Sequence, residues 1–74
     1  YEPVDEVDGN GNTMLHLAVL HGIEDKVKYF IYRGFDVNKQ NFEGQTPLYV
    51  ACLNNFTKIV QILLKAGANA NIGN

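Results

Sequence analysis

Apolar residues along this chain predict a short helix after residue 13 and another after residue 46. In the first run, Met14 and Leu15 are followed by an unbroken apolar stretch over 17–20. A short helix with so many apolar positions is buried around most of its circumference. Thr13 precedes the first run and Thr46-Pro47 opens the second, which places a threonine at each N-cap and the proline in a first helical turn.

A longer amphipathic helix is predicted after each short one. In the second copy, apolar residues recur at i, i+3, i+4, i+7 and i+8, at Phe56, Ile59, Val60, Leu63 and Leu64. The first copy repeats the stripe at Ile23, Val27, Phe30 and Ile31, and Lys26 narrows it at the position that matches Ile59. Each helix is followed by a residue that can adopt the left-handed conformation. In the first copy these residues are Gly22 and Gly34, and in the second copy they are Asn55 and Gly67.

The two copies are related by a shift of 33 residues. The shift superposes Gly11 on Gly44, Thr13 on Thr46, Leu15 on Leu48, Ala18 on Ala51, Leu20 on Leu53, Val27 on Val60, Gly34 on Gly67 and Asn38 on Asn71. Each unit therefore contains a turn, a short helix, a tight turn, a longer helix and an extended return. Helix pairs joined this closely cannot bury both faces alone, so we expect the copies to stack as a solenoid.

Matches to one family pattern cover nearly the whole chain. They are Asp8, Gly11, Thr13, Leu15, His16, Ala18, Gly22, Val27, Gly34, Asp36, Val37 and Asn38, then Gly44, Thr46, Pro47, Leu48, Ala51, Ile59, Val60, Leu63, Leu64, Gly67, Ala68 and Asn71. On these residues the chain resembles the ankyrin repeat, with repeat 1 at 8–38 and repeat 2 at 41–71. Residues 1–7 fit either a leader or the tail of a preceding repeat. The resemblance implies an all-α fold, an ankyrin-repeat solenoid of stacked antiparallel helix pairs with projecting β-hairpin turns.

The chain departs from the family pattern at three positions. The family's histidine bonds the threonine hydroxyl and ties the hairpin to the helix. It is present as His16, whereas the second copy has Tyr49, so we expect a less rigid loop there. Met14 replaces the family's helix-starting proline, and Asn55 replaces the glycine between the helices. We expect both to adjust stability and to leave the fold intact.

Length, charge and cysteine content narrow the class of protein. Two stacked repeats within 74 residues bury less surface than a compact domain, so we expect part of a longer repeat array, or self-association of the fragment. The net charge of −2, without a basic run, predicts neither a nucleic-acid nor a membrane partner. Cys52 is the only cysteine, which favours an intracellular location, cytoplasmic or nuclear.

Few residues suggest metal binding or catalysis. A calcium loop that starts at Asp8 would need glycine at Thr13 and glutamate at Val19. His16 and His21 lie five apart, which is not the i, i+4 spacing of two ligands on one helix face, and Cys52 occupies an apolar helical pattern. No nucleophile turn or phosphate loop is present. We therefore expect no cofactor, no metal and no enzyme activity, and an enzyme built on these three side chains is the weaker alternative.

The resemblance implies a non-catalytic protein–protein interaction module. Its hairpin tips and first helices would bind a partner protein through Asn10, Asn12, Leu20, His21, Phe42, Glu43, Gln45, Leu53 and Asn54. Phe42 is the expected anchor, and the alternative is that its ring folds over the hairpin of the neighbouring copy. The alternative function is an architectural segment of a longer ankyrin array in a scaffold, channel or modular enzyme.

Asn38 has a second implied role. The resemblance marks the asparagine of the Val-Asn step as a target of an intracellular asparaginyl hydroxylase. Asn38 is the better candidate than Asn71, because Asp36-Val37 precedes it. The alternative is that both asparagines only bridge a hairpin to a helix through side-chain bonds.

Overall fold

The structure, a computed structural model, describes residues 7–71 and has four helices in this range. They are α1 (Met14–Leu20), α2 (Glu24–Tyr32), α3 (Pro47–Leu53) and α4 (Thr57–Lys65). The pairs α1–α2 and α3–α4 stack through contacts of α1 with α3 and of α2 with α4. No strand occurs within 7–71, so the projecting hairpins consist of turns alone. The all-α fold class is confirmed, whereas the predicted leader or tail over 1–7 lies, except for Val7, outside the described residues.

Both short helices begin at a threonine cap, as the sequence predicts. The Thr13 hydroxyl accepts a hydrogen bond from the His16 backbone N–H at 3.3 Å, and the Thr46 hydroxyl accepts one from the Tyr49 N–H at 3.2 Å. Each bond satisfies a donor that a helix start leaves without an intrahelical partner. Pro47 is the first residue of α3, where its missing N–H removes no helical bond.

The turn between α1 and α2 favours glycine for two reasons. Gly22 has a φ of 69°, in the left-handed region, and a Cβ there would lie 3.1 Å from Phe56 Cζ. Asn55 occupies the equivalent place in the second pair with a φ of 59°, which asparagine tolerates better than most residues. The predicted left-handed positions between the helices are therefore confirmed.

The segment after α2 differs from the extended return that the pattern predicts. Val37 and Asn38 form a turn. The Asn38 N–H donates to Asp36 Oδ1 at 2.9 Å. A bond from an aspartate side chain to the backbone N–H two residues later stabilises such a turn. The prediction of extended backbone was wrong at Val37 and Asn38, because the bond to Asp36 holds these residues in a turn.

The hydrophobic core lies between the stacked pairs. Its buried members are Leu15, Ala18, Val19, Val27, Leu48, Val50, Ala51, Ile59 and Leu63. Leu64, the last member of the apolar stripe, is 46% exposed, and Cys52 is exposed as well. The stripe is wider than the surface that the rest of 7–71 covers, so part of it remains in contact with solvent.

Burial differs consistently between equivalent positions of the two copies. Val19 is 0% exposed whereas Cys52, its equivalent, is exposed. The opposite difference occurs at Met14, which is 49% exposed, and Pro47, which is buried. Each copy buries the face that it turns toward the other. Within 7–71, the two outward faces of the stack therefore remain open.

Candidate functional site

In each hairpin turn, one side chain accepts hydrogen bonds from backbone N–H groups two and four residues later in the chain. Asp8 Oδ1 accepts hydrogen bonds from the N–H groups of Asn10 at 2.8 Å and Asn12 at 2.9 Å. These bonds, that of Asn12 foremost, lower the pKa of the Asp8 carboxyl because they favour its charged form. In the second hairpin, Asn41 Oδ1 accepts from the N–H groups of Glu43 and Gln45, both at 2.9 Å. A neutral amide thus gives the second turn the same bonding pattern that a carboxylate gives the first.

The two hairpins are also bonded to each other. Asn41 Nδ2 donates to Asn12 Oδ1 at 2.9 Å and to Gln45 Oε1 at 3.1 Å. Alongside, the Phe42 N–H donates to the Asn10 carbonyl at 3.0 Å. Asn41 is only 7% exposed, and a fully bonded buried amide holds its neighbours in one arrangement. The spacing of the two hairpin tips is therefore fixed.

His16 joins α1 to the second hairpin. Its Nε2 lies 2.8 Å from the Gln45 carbonyl oxygen, and its Nδ1 lies 3.2 Å from Thr13 N and 3.0 Å from Thr13 Oγ1. This set fits the neutral imidazole in which Nε2–H donates to Gln45 and Nδ1 accepts from the Thr13 N–H. Burial lowers the pKa of His16, although the Gln45 carbonyl opposes the shift. The predicted bond between this histidine and the threonine hydroxyl is confirmed.

A groove of about 220 Å³ lies between the hairpin tips and the helices α1 and α3. Its lining combines hydrogen-bonding and apolar side chains: Asn10, Asn12, His16, Leu20, Asn41, Glu43, Gln45, Val50, Leu53 and Asn54. Seven of the nine side chains predicted to face a partner belong to this lining. Leu20 and Leu53 are 47% and 59% exposed, so each presents apolar surface next to amide groups. The lining offers groups that recognise a ligand and has no nucleophile activated by a base.

Phe42, the eighth predicted residue, lies at the hairpin tip outside this lining. Its side chain is 74% exposed. The ring also packs on the first hairpin, since a Cβ at Gly11 would lie 2.5 Å from Phe42 Cδ1. The ring thus covers the neighbouring turn, as the alternative predicted, and still presents most of its surface to solvent. Its role as an anchor for a partner stays a prediction.

His21, the ninth predicted residue, lines a different cavity. That cavity has a volume of about 80 Å³ and is lined by Met14, Leu17, Ala18, His21, Ile23, Lys26 and Phe30. His21 shares a helix face with Met14, seven residues earlier, whereas Leu20 turns toward the groove. The structure therefore does not bring His21 to the other predicted partner-facing residues. In the described range, no three His, Cys, Asp or Glu side chains are grouped so that they could hold a metal ion.

Three groove residues were not among the predicted partner-facing side chains: His16, Asn41 and Val50. Val50 lies three residues before Leu53, and this spacing places both on one face of α3, so the periodicity could have identified it. Asn41 and His16 are largely occupied by the bonds within and between the hairpins. Their presence in the lining depends on the stacking, which leaves no local signal in the sequence.

Asn38 is half-buried, and its side chain is bonded. Asn38 Oδ1 accepts a hydrogen bond from the Asn69 N–H at 2.7 Å. This bond joins the loop after α2 to the loop after α4, instead of a hairpin to a helix. The Asn71 N–H in turn donates to Asn69 Oδ1 at 2.9 Å. Asn38 thus has a bridging role between the copies, and its hydroxylation stays a prediction.

None of the helices in the described part of the chain has the length and apolar character that crossing a membrane requires.

Comparison with known proteins identifies one family and several relatives. The model of ankyrin repeats (3 copies) matches residues 2–74. Similar proteins include Rabankyrin-5 of Mus musculus, 40% identical over 60 residues, and protein phosphatase 1 regulatory subunit 27 of Mus musculus, 32% identical over 71 residues. Transient receptor potential cation channel subfamily A member 1 of Homo sapiens is 39% identical over 69 residues.

These alignments cover 81%, 96% and 93% of this chain, in the same order. They cover only 5%, 46% and 6% of the relatives, so the chain spans less than half the length of each. The match of the family model over residues 2–74, together with the stacked helix pairs, shows that the chain belongs to the ankyrin repeat family.

Proposed function

We propose that the chain is a non-catalytic protein–protein interaction module whose partner binds in the groove between the hairpin tips and the short helices. Ankyrin repeats in general mediate protein–protein interaction. The observation that carries the proposal is the convergence of seven outward-facing side chains on one groove. At about 220 Å³ this groove is smaller than the sites that enclose small molecules, which are roughly 300–1,000 Å³. It suits a few side chains of a protein surface.

The groove is preorganised for binding. Asn41 holds Asn12 and Gln45 through its amide, so these polar groups need little further ordering when a partner binds. Leu53 supplies apolar surface beside them, and Phe42 adds an exposed aromatic ring at the tip. Aromatic and aliphatic anchors surrounded by a polar rim are typical of binding surfaces.

The proposal includes a location and excludes two partner classes. We place the protein inside the cell, because its only cysteine, Cys52, is an exposed free thiol that a reducing compartment keeps reduced. The net charge of −2 argues against nucleic acid and anionic membranes as partners of the groove.

A photocrosslinking experiment tests this function. A benzophenone amino acid at Leu53 should form a discrete adduct with a partner protein in cell extract, and one at Tyr32 should not. Tyr32 is a suitable control because it lies on α2, outside the groove, and is 86% exposed. With the purified partner, Leu53→Asp should weaken binding at least tenfold, whereas Tyr32→Asp should leave it unchanged. Equal adducts from both positions, or equal losses of affinity, would contradict the proposal.

A second candidate function, an architectural segment of a longer array, is supported by the open faces of the stack. Val19 is buried between the copies whereas the equivalent Cys52 is exposed, and Met14 is exposed whereas Pro47 is buried. Each open face carries the residues that form a repeat-to-repeat contact in the other copy. A further repeat on either side would therefore find a surface of the same kind as the one between the two copies.

A further inference from the structure

A second, larger groove lies between the longer helices α2 and α4. It has a volume of about 450 Å³ and is lined by Glu24, Lys28, Lys58, Gln61, Ile62 and Lys65. None of these residues belongs to the hairpin groove proposed above as the partner site. The larger groove is thus separate from the hairpin groove, and the proposed function does not use it.

The larger groove gathers positive charge that is dispersed in the sequence. Three of the six basic residues of the chain line it, against one glutamate, so the lining has a net charge of +2 in a chain whose net charge is −2. Lys28 comes from α2, whereas Lys58 and Lys65 come from α4. These three lysines are far apart in the sequence, so they form no basic run. The stacking of α2 on α4 brings their side chains to one groove.

The three lysines are available to a ligand. Lys28, Lys58 and Lys65 are exposed, and none of their ammonium groups forms a hydrogen bond or an ion pair with another residue of 7–71. Glu24 also has no such partner within this range, although it precedes Lys28 by one helical turn. The ammonium groups are therefore not neutralised by the described part of the chain. Like charges gathered in a concave surface concentrate the potential that attracts an anion.

The spacing along α4 defines the ligand further. Lys58 and Lys65 are seven residues apart on one helix face, which separates their backbone positions by about 10 Å at about 1.5 Å per residue. An extended peptide covers this distance in about three residues at about 3.3 Å each. Ile62 lies between the lysines and is partly buried, so the middle of the groove offers apolar contact. Glu24 repels a carboxylate at its own position and so restricts where acidic side chains can bind.

We propose that the groove between α2 and α4 binds an extended acidic peptide segment of a partner protein, with carboxylates about three residues apart that pair with Lys58 and Lys65. Lys28 contributes a third cation from the opposite wall. Lysine suits this role because its ammonium is a mobile point charge that does not require one fixed carboxylate geometry. Because exposed ion pairs each contribute little, the interaction is weak and sensitive to salt. A partner bound this way leaves the hairpin groove free for a different protein.

The probe for the test is a synthetic peptide with glutamate at every third position and serine elsewhere, and a peptide with glutamine at the same positions is its control. Binding to the 74-residue chain is measured by two-dimensional NMR titration, which reports both affinity and location. We expect the glutamate peptide to shift the amide signals of α2 and α4, and the glutamine peptide to shift none. Affinity should fall as salt is added.

A matched pair of variants locates the site. Lys28→Glu/Lys58→Glu should weaken binding of the glutamate peptide at least tenfold. Lys26→Glu/Lys39→Glu changes the net charge equally at lysines outside the groove, and it should change affinity less than twofold. If a glutamate variant does not fold, as judged by circular dichroism, the corresponding Lys→Gln pairs replace both, and the same contrast is expected at a smaller size.

Three results would overturn the proposal. Equal losses in both variants would show attraction to overall charge, and shifts confined to α1 and α3 would place the peptide in the hairpin groove. Tighter binding of a single-stranded oligonucleotide with the same number of charges would indicate a nucleic-acid site instead. None of these outcomes excludes binding of a partner protein in the hairpin groove, so the test does not decide the function proposed for that groove.

Discussion

Replacement of Leu63 by alanine tests the packing of α4 most directly. Leu63 is 0% exposed and belongs to the core between the stacked pairs. The change removes three buried carbon atoms, each worth about 0.8 kcal/mol of transfer free energy, and leaves a cavity. Such changes cost about 2–5 kcal/mol in total. A chain of 74 residues has a free energy of unfolding of about 4–11 kcal/mol, at about 0.05–0.15 kcal/mol per residue.

The two faces that are open within 7–71 place the isolated chain near the lower end of that range, because they leave apolar surface in contact with water. We therefore expect Leu63→Ala to remove most of the stability of the isolated chain and to leave it largely unfolded. Urea denaturation followed by far-ultraviolet circular dichroism measures the loss. With a slope of about 1 kcal/mol per molar urea, the midpoint should fall by about 2–5 M, or the transition should disappear.

Leu64→Ala is the matched control, because the same change occurs one residue along α4 at a side chain that is 46% exposed. About half of its transfer free energy is at stake and no closed cavity forms, so the cost should be about 1 kcal/mol. If Leu64→Ala destabilised the chain as much as Leu63→Ala, or more, then α4 would be rotated relative to the structure and the burial argument would fail.

Three further predictions follow from the described contacts. Phe42→Ala should weaken binding of a partner protein at least tenfold with little change in melting temperature, because the ring is 74% exposed; a large loss of stability with unchanged affinity would identify a packing residue. Stability should fall as the pH drops below about 6.5, because His16 is then protonated in the unfolded chain while burial holds its pKa lower in the folded chain, and the fall should end below that lowered pKa. His16→Gln should remove this dependence in urea titrations at several pH values, and an unaltered dependence would contradict the role of His16. Addition of a further repeat after residue 71 should raise the urea midpoint and the slope together, and a slope that stayed constant would show that the added repeat does not stack.

The helices and their ends could be predicted from the sequence because their determinants are local. Thr13 and Thr46 cap their helices through bonds to residues three positions ahead. Gly22 and Asn55 follow the short helices where the backbone must turn left-handed. Each of these features depends on one or two neighbouring residues, and the 33-residue period showed each of them twice.

Burial on the outward faces could not be predicted from one copy. Leu64 and Cys52 satisfy the apolar helical pattern, yet both are exposed because burial at those positions requires a neighbouring helix pair. The 33-residue repeat in the sequence also does not indicate which side chains line the same cavity. His21 was predicted to face the partner together with Leu20 on the basis of the family resemblance, but one residue along a helix rotates the side chain by about 100°.

The lining of the hairpin groove was predicted in part, and its use as a binding site stays a prediction. Positions that face outward in each repeat follow from the family resemblance, and Leu53 and Gln45 do line one groove. The amide of Asn41 that links the hairpins was not predicted, because its partner Asn12 lies 29 residues earlier. The lysine groove between α2 and α4 likewise depends on the stacking of elements that are distant in the chain.

The hydrogen bonds between the copies have a mechanical consequence. They join His16 to Gln45, Asn12 to Asn41, Asn10 to Phe42, and Asn38 to Asn69. All of them lie in the hairpins, at the start of α1 or in the loops after α2 and α4, and within 7–71 the helices α2 and α4 meet only through side-chain packing. Directional bonds weaken steeply when their geometry is disturbed, whereas apolar packing has no preferred direction.

The contact between the two copies should therefore be stiff at the hairpins, where the hydrogen bonds lie, and more easily deformed between α2 and α4. Under a bending load, the two copies would rotate about the hydrogen bonds between their hairpins, and the distance between α2 and α4 would change. The hairpin groove would keep its width while the lysine groove widened or narrowed. If the chain is part of a longer array, as proposed above, curvature imposed by a filament or a bulky partner would thus alter one of the two proposed binding surfaces and spare the other.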